Sequence, residues 1–270
     1  MKIAFLGGGN MARALIGGLL ARGVKPAAIS VIERLAPARR HLAARYKVRA
    51  SAGPDARTRA ADTLVLAVKP QDMRAAVAPL VPLPARQLVV SIAAGIRLAD
   101  LQRWLGGHAR LVRCMPNTPA LIGAGITGLH APRGVGAAER RRAGRILGAV
   151  GECVWLADER LLDAVTALSG SGPAYVFWFI EQLAAIGASL GLPRAAAERL
   201  ALQTVLGAAR LAAHSGEPPA LLRERVTSKG GTTEAALRVF DEEQLAARLK
   251  RALEAASRRG AELGALLGKD

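Results

Sequence analysis

The sequence predicts an α/β domain followed by an all-helical one, on three observations. Short apolar runs alternate with amphipathic stretches from residue 1 to about residue 115, the pattern of βαβ units around a mostly parallel sheet. A turn of Gly7, Gly8, Gly9, Asn10, Met11 and Ala12 joins the first apolar run to the first amphipathic stretch. Past Leu161 the strand-like runs cease and apolar residues recur at helical spacing. A chain of 270 residues accommodates two domains, expected at residues 1–160 and 161–270.

Taken in order, strands are expected at residues 2–6, 29–33, 63–68, 87–92 and 110–114, each a short apolar run. Between them, helices are expected at 10–21, 36–45, 71–79 and 98–104, with Gly and Pro at the joins. Two further apolar runs, 126–130 and 153–156, flank a helix over 137–150 and extend the sheet. Residues 172–214 and 232–267 are rich in Ala, Leu, Glu, Gln and Arg and read as helices. Gly191-Leu192-Pro193 marks a helix end followed by a helix start. The stretch from Pro173 to Leu192 carries so little charge that it predicts an oligomer interface.

Composition narrows the function classes. No apolar run reaches the roughly 20 uninterrupted residues of a membrane span, so a soluble protein without membrane attachment is expected. The opening residues, apolar only as far as Leu6, read as a buried strand rather than a secretory leader. Cys114 and Cys153 show neither disulfide-framework nor metal-ligand spacing, which points to a cytoplasmic protein without a metal site. A net charge of +17 attracts polyanions. The charge is dispersed and aromatic residues are only 3%, which disfavours a nucleic-acid partner.

Gly7-x-Gly9-x-x-Ala12 between a strand and a helix lets the backbone turn tightly and present helix N-terminal amides to a pyrophosphate. With Glu33 ending the second strand, the context is that of a dinucleotide-binding Rossmann domain, and NADP(H) or NAD(H) is the expected cofactor. Glu33 suits a ribose 2′-hydroxyl, whereas Arg34, with Arg39 and Arg40, suits a 2′-phosphate. An ordinary solvated helix face explains those arginines equally well. Val68, Lys69 and Pro70 follow the 63–68 strand, and Asn117 sits in the rigid Pro116-Asn117-Thr118-Pro119 turn after the 110–114 strand. Both lie at carboxyl strand ends, where ligands of such sheets bind. Residues 167–175 present small side chains ahead of an apolar helix and are expected to offer a helix N-terminus, or else to be a capping turn. Ser228, Gly230, Gly231, Thr232 and Thr233 form a second anion-ready loop, since paired glycines free amides to converge and hydroxyls add donors. A capped helix start at Thr232 or Thr233 accounts for the same pattern.

Together these motifs resemble the pyrroline-5-carboxylate reductase family over nearly the whole chain. The resemblance rests on the glycine loop, on Val68-Lys69-Pro70-Gln71, on Met115-Pro116-Asn117-Thr118-Pro119, on Leu168-Ser169-Gly170-Ser171-Gly172-Pro173-Ala174-Tyr175 and on Val226-Thr227-Ser228 with Gly230-Gly231-Thr232-Thr233. It implies a Rossmann domain, then a helical domain that interlocks with a partner's in a homodimer, with further assembly into a ring of dimers such as a decamer. It implies a cyclic imino acid as substrate, reduced from L-1-pyrroline-5-carboxylate to L-proline in a pocket at that interface. The loop of Ser228, Gly230, Gly231, Thr232 and Thr233 would hold the substrate carboxylate, Thr233 would reach the ring nitrogen as the catalytic residue, and Lys69, Pro70 and Asn117 would line the cofactor. One departure is Lys229, where the family carries proline. A missing proline loosens the loop, whereas an added ammonium helps to hold a carboxylate, and both readings stand.

The reaction so implied needs little side-chain acid–base chemistry, because a protonated cyclic imine is already electrophilic. Orientation to within about 3 to 3.5 Å of the nicotinamide is the larger demand. A β-hydroxyacid dehydrogenase or related imine reductase shares the architecture, but the former needs an interdomain lysine and none occurs between Lys69 and Lys229. A non-catalytic NAD(P)-sensing or nucleic-acid-binding protein leaves the loop at 228–233 unexplained.

Overall fold

The computed structural model describes residues 1–269. Its elements are, in order, β1 (Ile3–Leu6), α1 (Asn10–Ala21), β2 (Ile29–Ile32), α2 (Ala36–Tyr46), β3 (Arg49–Ser51), α3 (Ala56–Ala60), β4 (Thr63–Leu66), α4 (Met73–Val77), β5 (Leu88–Ser91), α5 (Leu98–Trp104) and β6 (Leu111–Met115). There follow β7 (Gly125–His130), α6 (Ala137–Leu147), β8 (Gly151–Trp155), α7 (Leu161–Val165), α8 (Gly172–Ser189), α9 (Arg194–Ser215), α10 (Pro219–Arg225), α11 (Thr232–Glu242) and α12 (Leu245–Leu267).

The strands form one sheet in the order β3-β2-β1-β4-β5-β6-β7-β8. All neighbours pair parallel except β6 and β7, which pair antiparallel. Because strand side chains alternate between faces, Ile3 and Phe5 of β1 enter one core while Ala4 and Leu6 enter the other. In β4 Val65 joins the first and Leu64 and Leu66 the second. Burial on both faces is why these strands read as continuous apolar runs. The reversal at β7 follows from the turn between residues 116 and 124, where prolines and Gly123 at φ 75° turn the chain back.

The expected strands and helices of the first domain are present, with two additions. β3 and α3 lie between β2 and β4, and neither carries the apolar alternation that would announce it. The segment expected to open a helix near residue 172 is instead helical from Leu161, passing through a π turn at Thr166–Gly170 in which the Ser171 amide donates to the Thr166 carbonyl. It therefore presents no separate helix N-terminus to an anion.

The chain divides into two compact units, Met1–Ser171 with residues 256–269, and Gly172–Ala255. The first extends past the expected join at residue 160 because Leu162 and Val165 pack against β7, where a Cβ at Gly128 would meet Val165 Cγ1 at 2.9 Å. It also takes the end of α12, since Leu267 packs on the second core and Gly264 approaches the Gly95 backbone. The second unit is wholly helical. Among the described residues no helix is long and apolar enough to cross a membrane.

Candidate active site

In the first unit the strand order reverses between β1 and β4, the point at which ligands of doubly wound sheets bind. Gly7 leaves β1 at φ 97°, and a Cβ there would lie 2.7 Å from the Ala67 carbonyl oxygen. Only glycine fits that approach. Gly8 is closed in by Leu42 and donates its amide to Glu33 Oε2 at 2.9 Å. Gly9 caps α1 at φ −69° with open space where a side chain would stand. Gly9, Asn10 and Met11 thus present the first-turn amides, which lack intrahelical acceptors, while Ala12 is fully buried and serves by packing.

At the end of β2 the Glu33 carboxylate is already engaged twice, by the Gly8 amide and by the Leu35 amide at 2.8 Å. Arg39 is likewise spent on the Glu33 and Arg34 carbonyls. The Arg34 and Arg40 side chains stay exposed. Val68 reaches the glycine turn, with Cγ1 at 2.9 Å from a Cβ built on Gly7. Lys69 is exposed and precedes the helical turn Pro70–Asp72. Asn117 accepts from the Ile126 amide at 3.0 Å, which fixes the turn after β6 onto β7. From β2 to β6 the carboxyl strand ends span four strand spacings, about 19 Å at about 4.8 Å each. Glu33 and Arg34 stand at one end of that edge and Asn117 at the other.

The cradle fits a dinucleotide on its backbone alone: a glycine at positive φ packed on the chain leaving β4, an open one at the helix start, and first-turn amides without intrahelical acceptors. Sequence reasoning missed residues 92–95 after β5, which fall between Lys69 and Asn117 on the same edge. Gly95 at φ 79° was the available signal. It also missed Arg113 of β6, only 4% exposed, which pairs with Glu159 at 3.0 Å and Asp163 at 3.4 Å. Glu159 further accepts from the Leu98 amide at 2.8 Å. That part-buried cluster ties β6, α5 and α7 together beside the π turn, where a Cβ at Gly170 would meet Met115 Cε at 2.6 Å. Next to Arg113, burial pushes the Cys114 thiol well above its ordinary pKa and keeps it neutral. A cleft of about 370 Å³ lined by Lys2, Ile29 and Arg57 lies at the opposite, amino ends of the strands, away from this edge.

In the second unit, Gly231 donates its amide to the Ser228 carbonyl at 3.0 Å and Gly230 stands at φ 72°. Gly231 then caps α11, whose first turn carries Thr232 and Thr233. Their amides have no intrahelical acceptor. A Cβ on Gly231 would meet Ser228 Oγ at 2.7 Å, so the serine hydroxyl lies over the glycine. The Gly230 amide, expected among the carboxylate donors, already donates to Glu234 Oε2 at 2.6 Å. The Thr227 hydroxyl is tied to the Arg223 carbonyl at 2.6 Å. The donors left for a ligand are the Ser228 hydroxyl and the amides and hydroxyls of Thr232 and Thr233. That set suits one small carboxylate with a polar atom beside it.

Residues 159–263 match the family described as pyrroline-5-carboxylate reductase dimerisation. Residues 2–95 match the family described as NADP oxidoreductase, coenzyme F420-dependent. A pyrroline-5-carboxylate reductase of Pseudomonas aeruginosa is 49% identical over 99% of this chain and 98% of its own. The enzyme of Pisum sativum is 39% identical over 97% and 95%. Among solved structures, a pyrroline-5-carboxylate reductase from Coxiella burnetii superposes with a TM-score of 0.91 at 39% identity, covering 97% of this chain and 98% of that one. A Plasmodium falciparum pyrroline carboxylate reductase with NADP bound superposes with a TM-score of 0.85 at 27% identity, over 98% of each chain.

Proposed function

The chain belongs to the pyrroline-5-carboxylate reductase family, and from that premise we propose how its own residues divide the work of the NAD(P)H-dependent reduction of L-1-pyrroline-5-carboxylate to L-proline. The observation that carries the division is a pair of separate backbone anion cradles, one in each compact unit. Gly7, Gly8, Gly9, Asn10, Met11 and Ala12 form the pyrophosphate turn, with Gly9 to Met11 donating and the others shaping it. Glu33 and Arg34 border the adenosine ribose. Val68, Lys69, Pro70 and Asn117 line the cofactor towards its nicotinamide end. When bound, the cofactor supplies the hydride.

The second cradle takes the substrate carboxylate on Ser228 and Thr232, with Gly230 and Gly231 shaping the turn. Thr233, at the second position of α11, accepts a hydrogen bond from the protonated ring nitrogen on its hydroxyl oxygen and orients the imine. No histidine, thiol or paired carboxylate is required, in keeping with a substrate that is electrophilic once protonated. The working unit is a homodimer, with a ring of dimers such as a decamer as the larger assembly, and the compartment is the cytoplasm.

The test follows NAD(P)H absorbance with L-1-pyrroline-5-carboxylate. Thr233→Ala is expected to lower kcat/KM about tenfold, the loss of one hydrogen bond to a charged group. Thr227→Ala is the control, because its hydroxyl is spent on Arg223. Equal effects of the two would remove Thr233 from the site, and no oxidation with either cofactor would overturn the assignment.

A further inference from the structure

Residues 228–231 make a four-residue turn closed by the 3.0 Å bond from the Gly231 amide to the Ser228 carbonyl. Gly230, its third residue, has φ 72°, while Lys229 is not among the residues of positive φ. That combination is a type II turn, whose third position demands φ above zero and whose second position favours proline because the ring presets φ near −60°. Lysine at 229 supplies no such restraint, and the two glycines that follow add no side chain to fix the backbone. Something else has to hold the turn in register with α11.

We propose that Glu234 is a positioning residue that restrains the 228–231 turn from the helix, as a proline at position 229 would restrain it from within. The backbone of Glu234 is fixed at the third position of α11, and its Oε2 accepts from the Gly230 amide at 2.6 Å. A charge-assisted bond of that length is among the stronger polar contacts available at a surface, and a carboxylate there also complements the helix N-terminus. It locks Gly230 at positive φ before substrate arrives, so the Thr232 and Thr233 amides and the Ser228 hydroxyl are aimed in advance. Preorganisation of this kind appears in KM, because the ordering cost is removed from the binding step. The inference rests on the reading that this loop takes the substrate carboxylate.

Steady-state kinetics on the full chain test it. Glu234 is exposed, so its removal leaves no buried group unpaired and the fold survives. Glu234→Ala is expected to raise KM for L-1-pyrroline-5-carboxylate about tenfold and to leave KM for NAD(P)H and the assembly size unchanged. Glu234→Gln, which keeps an acceptor oxygen, restores most of the loss. The deciding variant is the double substitution Lys229→Pro with Glu234→Ala: a proline that rigidifies the turn brings KM back to within about threefold of the parent. An unchanged KM in Glu234→Ala, or a defect that Lys229→Pro leaves undiminished, overturns the role of Glu234. Thr233→Ala run alongside separates the two claims. If it raises KM while Glu234→Ala does not, only the positioning role fails; if neither moves KM, the carboxylate loop itself is misassigned.

Discussion

At the end of β2, two neighbouring side chains of opposite charge would bear in opposite ways on a dinucleotide's ribose. Glu33 would favour a free 2′-hydroxyl and Arg34 a 2′-phosphate. The structure separates them by what each is already bonded to. Both oxygens of Glu33 accept backbone amides, from Gly8 and Leu35, so its carboxylate is already engaged by the main chain. Arg34 is exposed, and the nearby Arg39 is held on main-chain carbonyls. This arrangement predicts a higher kcat/KM with NADPH than with NADH. Arg34→Ala is expected to raise KM for NADPH about tenfold, the loss of one charge-assisted phosphate contact, and to leave NADH nearly unaffected; paired kinetics with the two cofactors read this directly, and equal losses would place Arg34 away from the ribose. The same residues mark the reach of sequence reasoning. The glycine turn was legible because the positive φ and close approach at Gly7 admit glycine alone. The direction of the Glu33 carboxylate was not, since it depends on amides that only the fold brings to it.

Among the elements, α6 shows how a helix end couples to pH. Glu139, at its third position, accepts from the Gly136 amide at 2.9 Å and from Arg110 at 2.5 Å. Burial alone would raise its pKa, but the bond from Arg110, the Gly136 amide and the charges of Arg110 and Arg142 outweigh burial, and the folded pKa is lowered. A lowered carboxyl pKa adds stability that is present above the unfolded value, near 4.3, and disappears as pH falls through the folded one. Glu139→Gln is therefore expected to cost about 1 kcal/mol at pH 7, with the gap to the parent narrowing below about pH 4. Denaturant melts at pH 7 and pH 3 measure it, and a gap independent of pH would show that the charge contributes nothing. Helix α6 was legible from its periodicity, whereas β3 and the π turn were not. β3 is three residues long at the edge of the sheet and pairs through its main chain, so Arg49-Ala50-Ser51 carries no apolar signature. The π turn at Thr166–Gly170 rests on a one-residue offset in hydrogen bonding, which no side-chain period encodes, and its small residues read as the lead into a helix N-terminus or a capping turn.

For the molecule as a whole, the second unit is the part that cannot stand alone. Helix α8 has no buried residue, yet it carries Phe177 at 65% exposure, Trp178 at 60% and Ile186 at 54%. Between α8 and α9 runs a groove of about 720 Å³ lined by Phe177, Ile180, Ala184 and Leu202. A helix this apolar that stands exposed requires cover, and apolar surface this extensive marks an association site. The match to a dimerisation family over residues 159–263 identifies the cover as a second copy. The shortage of charge between Pro173 and Leu192 carried this much in the sequence, because an interface helix keeps its composition whether or not its partner is present. Light scattering at micromolar concentration is expected to give at least twice the 28.1 kDa chain mass. Phe177→Glu places a charge in the apolar face and is expected to shift the protein towards monomer, since burying an unpaired carboxylate opposes association. The glycine turn and the strand ends lie wholly in the first unit, so that monomer should still bind NADPH with near-parental affinity. Its turnover of L-1-pyrroline-5-carboxylate should fall at least tenfold. Cofactor titration by fluorescence and the absorbance assay separate the two effects, and a fully active monomer would sink the claim that assembly completes the enzyme.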